Sequence, residues 1–506
     1  MKKTLSILTM AALLVALVPS CNKTTPENNG GKDNGGDVTP DPTPDPTPAP
    51  DPVDYTILFY GCGGGNLDSD DENNLKDVAK ALPEKDSKVR FLAQYKYSSP
   101  KSVTFTPADE DDNYVAAGQA GHLYRYEVTA AIVASDDESS TYIKLPQGAQ
   151  YGNQNAKAEL FQPDSIASFI KYGVATAPAK NYILVFGGHG NGYNLYEDIP
   201  WTESKTTVSD ENLEDDPSVS MYHIKEGIKR SGATITLLAF ESCEMGQIEV
   251  VAELQNSAKY MMASGHSISA LAYNELISSI QKGDKFMDIM ISFARGSLND
   301  NLPRKGGHMN FSVTDFSKTQ PFFTALKEIT DYLCNNVKED KLEGYKTAAA
   351  DTYQFDKEDS KFDIYDYLCF LGRDVYSEDA EYTRLLENVT KTLNEAQPIH
   401  YNSLDCKGDK YYAWLSYSVV MGAQGYMLDF QNKGQRQIAR DKNGTTYRLV
   451  NNVVGDQIKE DSYGAWAKTY NLTTFDKTVG WSKWFEKNPA FPRNNPPFYL
   501  YQRDDR

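Results

Sequence analysis

The sequence has no excess of positive charge and few histidines and cysteines, and each shortage argues against a class of function. Its 51 Lys and Arg stand against 70 Asp and Glu, which gives a formal net charge of −19 at pH 7. Nucleic-acid binding depends on clustered basic residues, so we expect no nucleic-acid partner. The 6 histidines and 6 cysteines show no cluster with the spacing of zinc ligands, so we expect no zinc site.

The N-terminal hydrophobic run, Leu5 to Val18, is too short to span a membrane. It follows two lysines, as in a signal peptide, which we expect to cover residues 1–20. The run ends at Val18-Pro-Ser-Cys21, which resembles a bacterial lipobox, so we expect Cys21 to carry lipid and to anchor the chain to a bilayer. Pro19 departs from the commonest lipobox residues, and a plain signal peptide with secretion stays the alternative.

Residues 21–53 are rich in Asn, Gly, Thr, Asp and Pro. This composition favours extended polyproline geometry and cannot build a core. We expect a spacer that holds the folded part away from a membrane of the bacterial cell envelope, facing the periplasm or the outside. If Cys21 carries lipid, an odd number of cysteines remains, which leaves at least one free thiol. Four of the remaining cysteines could be reduced or bridged: Cys62, Cys334, Cys369 and Cys406.

From residue 54 onward, short apolar runs alternate with segments typical of helices. Predicted strands lie at 54–60, 89–95, 182–187, 237–241 and 259–264, and predicted helices at 73–82, 163–171 and 220–230. The alternation predicts an α/β fold with a mostly parallel sheet covered by helices on both faces. The length of 506 residues exceeds the usual limit for one core. We place this domain at residues 54–300 and a second α/β or α+β lobe at residues 301–506.

Two apolar runs end in side chains with nucleophilic or basic chemistry. Tyr182-Ile-Leu-Val-Phe-Gly-Gly leads to His189-Gly190, and Leu237-Leu-Ala-Phe-Glu-Ser leads to Cys243. In an open α/β sheet, ligands bind outside the carboxyl ends of the strands, so a thiol and an imidazole at two such ends are placed to meet. A single cysteine after a strand is usually a small buried hydrophobe. The joint pattern favours the chemical interpretation, in which the imidazole activates the thiol and Cys243 is the free cysteine.

These stretches resemble the signatures of the clostripain-like cysteine peptidases, relatives of caspases, gingipains and legumain. The matching motifs are His189-Gly190 and Glu241-Ser-Cys243-Glu-Met-Gly246, and the resemblance covers roughly residues 54 to 490. It implies a caspase-like fold in which Cys243 is the nucleophile and His189 transfers protons. The amides of Gly190 and Cys243, the latter at the expected start of a helix, would stabilise the oxyanion.

The resemblance implies a cysteine endopeptidase that acts on peptide or protein substrates. It requires no cofactor, although calcium is possible. The alternative is a catalytically inactive peptidase fold used as a surface binding or adhesion lipoprotein, against which the intact His189 and Cys243 count. A third interpretation, a glycan-binding or glycan-cleaving lipoprotein, rests only on the anchor and the aromatic content.

The family's preference for cleavage after Arg or Lys depends on carboxylates in the pocket for that side chain. Glu241, two residues before the nucleophile, matches one such acidic position and would pair with a basic side chain. The chain departs from the family at Ser264-Gly-His266, where an acidic residue is expected. The alternative is that Glu241 is a solvated or capping residue.

Members of this family are often cut between the histidine and the cysteine, which frees the active site. The intervening loop, Asn191 to roughly Ser218, is polar and acidic. Between His189 and Lys225 its one basic residue is Lys205, so we expect self-cleavage after Lys205. The alternative is that Lys205 is an ordinary surface lysine.

Overall fold

The structure is a computed structural model of the whole chain. It describes residues 51–61, 67–97, 122–133, 143–151, 160, 162–190, 192, 206–209, 218–301, 309–352, 361–402, 422–424, 436–438, 473–489 and 501–503. Cys21, Cys62, Lys205 and Cys406 lie outside these residues, as does the signal peptide with most of the linker. In the described part of the chain, none of the helices has the length and apolar character needed to cross a membrane.

Short strands and mostly amphipathic helices alternate along the described chain. The strands are β1 (Val53–Gly61), β2 (Val89–Lys96), β3 (Leu123–Glu127), β4 (Ala179–Gly187), β5 (His189–Gly190), β6 (Thr206–Ser209), β7 (Ser218–Ser220), β8 (Leu237–Glu241), β9 (Tyr260–Ala263), β10 (Asn310–Asp315), β11 (Lys361–Asp363), β12 (Ile399–Asn402), β13 (Gly422–Gln424), β14 (Arg436–Ile438) and β15 (Tyr501–Arg503). The helices are α1 (Asp68–Ala81), α2 (Pro163–Thr176), α3 (Met221–Ser231), α4 (Ile248–Leu254), α5 (Tyr273–Lys282), α6 (Phe286–Asn301), α7 (Thr319–Asn335), α8 (Leu342–Asp351), α9 (Ile364–Asp374), α10 (Ala380–Ala396), α11 (Thr474–Val479) and α12 (Trp481–Lys487).

One sheet of eight strands organises the fold, with the spatial order β12-β10-β9-β8-β4-β1-β2-β3. The central strands β2, β1, β4, β8 and β9 run parallel. Strand β3 is antiparallel to β2, and β10 is antiparallel to both β9 and β12. The mostly parallel α/β sheet predicted from the sequence is therefore confirmed.

Helices cover both faces of this sheet because successive side chains of its strands point to opposite sides. Leu58 and Tyr60 of β1 belong to the core cluster that includes residues of α2, α3, α4 and α7. Ile57 and Phe59 of the same strand belong to the cluster formed with α1, α5 and α6. All residues of β8 are buried, as expected for a parallel strand covered on both sides.

The chain after residue 300 supplies strands to the eight-stranded sheet as well as helices. Strands β10 and β12, at 310–315 and 399–402, form one end of the eight-stranded sheet. Helices α7 to α12 add residues to the core cluster on the α2–α4 face, where Trp481 and Trp484 are fully buried. We predict a domain boundary at residue 300. Strands from both sides of that position belong to the same eight-stranded sheet.

Candidate active site

The register between β4 and β8 brings the two catalytic candidates to one edge of the sheet. Gly187 pairs with Glu241 in this parallel ladder, so His189 and Cys243 each lie two residues beyond a matched pair. The Gly188 amide donates to the Glu241 carbonyl at 3.2 Å, which extends the contact between the two segments past the end of the strands. Both His189 and Cys243 are half-buried, as a site open to substrate requires.

Gly190 allows the histidine segment to approach the backbone of the nucleophile candidate. A Cβ atom at position 190 would lie 2.4 Å from the Cys243 carbonyl oxygen and 2.8 Å from its amide nitrogen. Only glycine avoids this collision without a shift of one segment. The close approach places the Cys243 amide beside the His189–Gly190 segment, where two backbone N–H groups can serve one oxyanion.

Cys243 lies in a tight turn between β8 and α4. Glu244 has a left-handed backbone with φ of 61°, which is uncommon outside glycine. The Glu244 amide donates to the His266 carbonyl at 3.0 Å, and the Gly246 amide donates to Ser264 at 2.6 Å. The Cys243 thiol donates to the Ile268 carbonyl at 3.6 Å. The loop after β9 therefore holds the turn in place by accepting hydrogen bonds from Cys243, Glu244 and Gly246.

The Cys243 amide does not lie at the start of a helix. We expected the Cys243 amide at a helix start, but α4 begins at Ile248. The residues between them form the turn, because the left-handed Glu244 is incompatible with a helix. The Cys243 amide is consequently oriented by the turn and by Gly190, and the dipole of α4 begins too far along the chain to assist it.

The other described cysteines lie in surroundings that disfavour a thiolate. Cys243, Cys334 and Cys369 are all free thiols. Burial raises the pKa of Cys334 to about 11 and that of Cys369 to about 12. Because the thiolate is the nucleophile, these two thiols are poorly reactive at neutral pH.

Glu241 is buried, with only 5% of its surface exposed, and both carboxyl oxygens receive hydrogen bonds. The Asn74 amide of α1 donates to Oε1 at 2.5 Å, and the Tyr273 hydroxyl of α5 donates to Oε2. Burial raises the pKa of Glu241 to about 8, against the opposing effect of these two donors. Burial thus disfavours the charged form of this carboxyl group, whereas the two donors favour it.

Sequence reasoning missed Asn74 and Tyr273 as members of the site. Their contacts with Glu241 join positions separated by 167 and 32 residues. No local motif signals such a contact; only the packing of α1 and α5 on the same face of the sheet reveals it. Of the predicted site residues, His189, Gly190, Glu241 and Cys243 are brought together at this edge.

The segment that follows Lys205 pairs with the histidine segment. Strand β6 begins at Thr206 and runs antiparallel to β5, with Ser209 opposite His189 and Val208 opposite Gly190. Strand β7 then pairs with β6 and leads into α3. Among the described residues there is no group of three or more His, Cys, Asp or Glu side chains placed to hold a metal ion.

Comparison with known proteins agrees with this architecture. The sequence model of the clostripain family, peptidase family C11, matches residues 130–487. A secreted C11 cysteine protease from Bacteroides thetaiotaomicron, solved with an irreversible peptide inhibitor, has 13% identity and a TM-score of 0.52, covering 85% of this chain and 99% of that one. This likeness shows a shared fold.

Two further solved structures are similar to the chain. Another secreted C11 protease from Bacteroides thetaiotaomicron, called iotapain, has 17% identity and a TM-score of 0.48 over 70% of this chain and 87% of its own. An inactive zymogen of a C11 protease from Parabacteroides distasonis has 12% identity and a TM-score of 0.49 over 85% and 99%. No curated protein matches the sequence significantly.

The raised pKa of Glu241 predicts how stability depends on pH. The folded state holds this proton more tightly than the unfolded chain, so stability falls as pH rises from the ordinary value of 4.5 to about 8. Each pKa unit corresponds to about 1.4 kcal/mol of folding free energy. Glu241→Gln cannot titrate and should show a shallower decline in urea denaturation over this pH range.

Part of the decline should remain in the variant. Burial also raises the pKa of Asp71, to which the Glu241 charge contributes, and burial raises that of Asp363. Parallel stability curves for the wild type and Glu241→Gln would contradict the prediction.

Proposed function

Because the chain belongs to the clostripain family of cysteine peptidases, we propose that it is an endopeptidase that uses Cys243 as nucleophile and His189 as its base. The observation that carries the proposal is the register of β4 and β8, with Gly187 opposite Glu241 and the two reactive side chains two residues further on. Peptides or proteins are the substrates. The thiol, the imidazole and the backbone amides supply the chemistry, so we propose that the reaction itself needs no cofactor or metal.

The reaction proceeds by acyl transfer to the thiol. His189 accepts the thiol proton, and the Cys243 sulfur attacks the scissile carbonyl carbon. The tetrahedral intermediate collapses when the carbon–nitrogen bond breaks and the His189 imidazolium gives its proton to the leaving amine. Water, deprotonated by His189, then attacks the thioester and releases the acid product and the free thiol.

We assign the oxyanion donors to the amides of Gly190 and Cys243. The support is the close packing of Gly190 against the Cys243 main chain. Donors of this kind act where negative charge develops, and removing one typically costs a factor of about 10²–10³ in kcat. Two backbone donors also need no side-chain rearrangement during the reaction.

Cleavage after Arg or Lys is proposed from the family resemblance. The net charge of −19 is compatible with attraction of basic substrates. The assignment of Glu241 to the recognition of that basic side chain stays a prediction. Both oxygens of Glu241 receive hydrogen bonds from the protein, which argues for a role inside the protein.

Self-cleavage after Lys205 and lipid anchoring through Cys21 complete the proposal. The position of β6, which starts one residue after Lys205 and pairs with β5, supports a link between this loop and the histidine. Lipidation of Cys21 would hold the peptidase at the bacterial cell envelope, and secretion is the alternative. The support for the anchor is the lipobox-like sequence before Cys21.

Cys243→Ala should abolish peptide hydrolysis, because alanine offers no nucleophile. His189→Ala should lower kcat by a factor of about 10²–10⁴, the usual value of general acid–base catalysis. Because both side chains are half-buried, unfolding free energies should change by less than about 1 kcal/mol. Cys334→Ala is the matched control, since it removes a free thiol from the last turn of α7, a helix that supplies no predicted site residue, and should keep full activity. Turnover by Cys243→Ala at the wild-type rate would disprove the proposed nucleophile.

The proposed side-chain preference predicts the outcome of a positional-scanning peptide library. Arg and Lys before the scissile bond should give the highest kcat/KM, because the family resemblance implies a preference for basic side chains and the net charge of −19 attracts cationic peptides. Peptides with citrulline or norleucine in place of Arg or Lys are the matched controls for shape without charge. Equal turnover of charged and uncharged peptides would reject the preference while leaving the peptidase proposal intact.

Self-cleavage predicts a new N-terminus at Thr206. N-terminal sequencing of the wild type should find it, and Cys243→Ala should remain uncut because it lacks the nucleophile. Lys205→Ala should also remain uncut at this site, whereas Lys229→Ala, an exposed lysine on α3, should be processed normally. A single uncut wild-type chain with full activity would exclude activation by this cut.

A further inference from the structure

Glu241 connects the two catalytic segments through its main chain. It is the last residue of β8, and Cys243 follows two residues later. Its carbonyl accepts the Gly188 amide, next to His189, at 3.2 Å. Any displacement of Glu241 therefore changes the position of the thiol and of the histidine segment together.

The side chain of Glu241 fastens this point to two helices. Asn74, in the middle of α1, donates to one carboxyl oxygen at 2.5 Å, and Tyr273, the first residue of α5, donates to the other. Neither helix supplies a predicted catalytic residue. Both helices pack on the same face of the sheet, in the core cluster that contains Leu75 and Leu276.

Tyr273 itself is held firmly. Its ring contacts Phe91 at a centroid distance of 5.4 Å in an edge geometry and Phe293 at 6.1 Å. Only 3% of the residue is exposed. A hydroxyl carried by an immobilised ring is a precise anchor, because the donor position does not vary with side-chain rotation.

We propose that Asn74 and Tyr273 are positioning residues, which hold the Glu241 carboxyl group and thereby align Cys243 with His189. The proposal rests on the proposed Cys243–His189 chemistry. Misplacing reacting groups by about 1 Å costs about 10²-fold in rate, so a clamp at the strand end has a measurable effect on kcat. In this role the Glu241 carboxyl group acts through its hydrogen bonds within the protein.

The electrostatic surroundings agree with an internal role. Asp68, Asp70 and Asp71 of α1 lie near Glu241 and Tyr95 of β2, and burial raises the pKa of Glu241 and of Asp71. Both oxygens of Glu241 are engaged by donors of the protein, and burial beside Asp70 and Asp71 disfavours the charged form of this carboxyl group.

Tyr273→Phe is the test with the least effect on packing, since the ring contacts are kept and only the hydroxyl is removed. On the full-length chain we expect kcat to fall by about 10-fold or more with little change in KM. The factor should be the same for peptides with Arg and with an uncharged residue before the scissile bond. Unchanged kcat, or a rise in KM confined to basic peptides, would overturn the proposal.

Tyr332→Phe is the matched control for loss of a tyrosine hydroxyl. Tyr332 of α7 donates to both carboxylate oxygens of Asp379 at 2.8 Å, and neither residue hydrogen-bonds to Glu241. Its removal should leave kcat and KM within about two-fold of wild type, as for substitutions away from the reacting groups. If kcat of Tyr332→Phe falls as much as that of Tyr273→Phe, the loss of activity reflects general destabilisation by a missing hydroxyl group. That result would overturn the proposal.

Two Glu241 variants separate positioning from substrate recognition. Glu241→Ala should lower kcat for basic and uncharged peptides by the same factor. Glu241→Gln keeps one acceptor oxygen and replaces the other by a donor NH2 group, so it should recover only part of that loss. If Glu241 recognises the basic side chain, both variants will instead abolish the preference for Arg and Lys, which would contradict positioning. Thermal melting of each variant verifies that the comparison is made on folded protein.

Alkylation of Cys243 by iodoacetamide distinguishes failure of this inference from failure of the proposed function. If the peptidase chemistry is wrong, the wild type will show neither turnover nor rapid alkylation. If only the positioning is wrong, wild type and Tyr273→Phe will hydrolyse peptides and react with iodoacetamide at equal rates. The expected result is an active wild type with fast alkylation and a slower Tyr273→Phe in both assays.

Discussion

The register between β4 and β8 is the constraint on which the site depends. Gly187 lies opposite Glu241, so His189 and Cys243 each follow two residues after the same paired position at the ends of the two strands. A slip of one residue would turn every side chain of β8 to the other face of the sheet. Such a slip would exchange Leu238 and Phe240 of one hydrophobic cluster with Leu237 and Ala239 of the other, and this mismatch in side-chain size opposes it in close-packed surroundings. Catalytic geometry is thus specified largely by hydrophobic packing.

Much of this architecture can be predicted from the sequence, for a physical reason. Buried parallel strands are short, continuous apolar runs, and those of β1, β2, β4, β8 and β9 stand out against polar neighbours. The rule that function gathers at the carboxyl ends of such strands then selects His189 and Cys243. The antiparallel strands β3 and β12 are at the edges of the sheet, and β10 lies beside β12. Their pairing direction depends on long connections that carry no local signal.

The support around the nucleophile could not be predicted in the same way. Asn74 and Tyr273 look like ordinary helix residues, and their role depends on contacts with Glu241 across 167 and 32 residues. The turn between Cys243 and α4 depends on the left-handed backbone of Glu244, whose amide donates to the His266 carbonyl in the loop after β9. Sequence patterns report burial and periodicity, whereas these features depend on the arrangement of distant segments.

The histidine segment is held from two sides by main-chain contacts, and this arrangement bears on how a cut near it would act. On one side Gly190 packs against the Cys243 backbone, and on the other Ser209 of β6 pairs with His189. The partners in β6 all follow Lys205 in the chain, and β6 pairs with β7, which continues directly into α3. A break after Lys205 would therefore remove chain continuity without removing a β5–β6 hydrogen-bond partner. Backbone pairing of this kind lets a loop change its connectivity while the histidine keeps its position relative to the thiol.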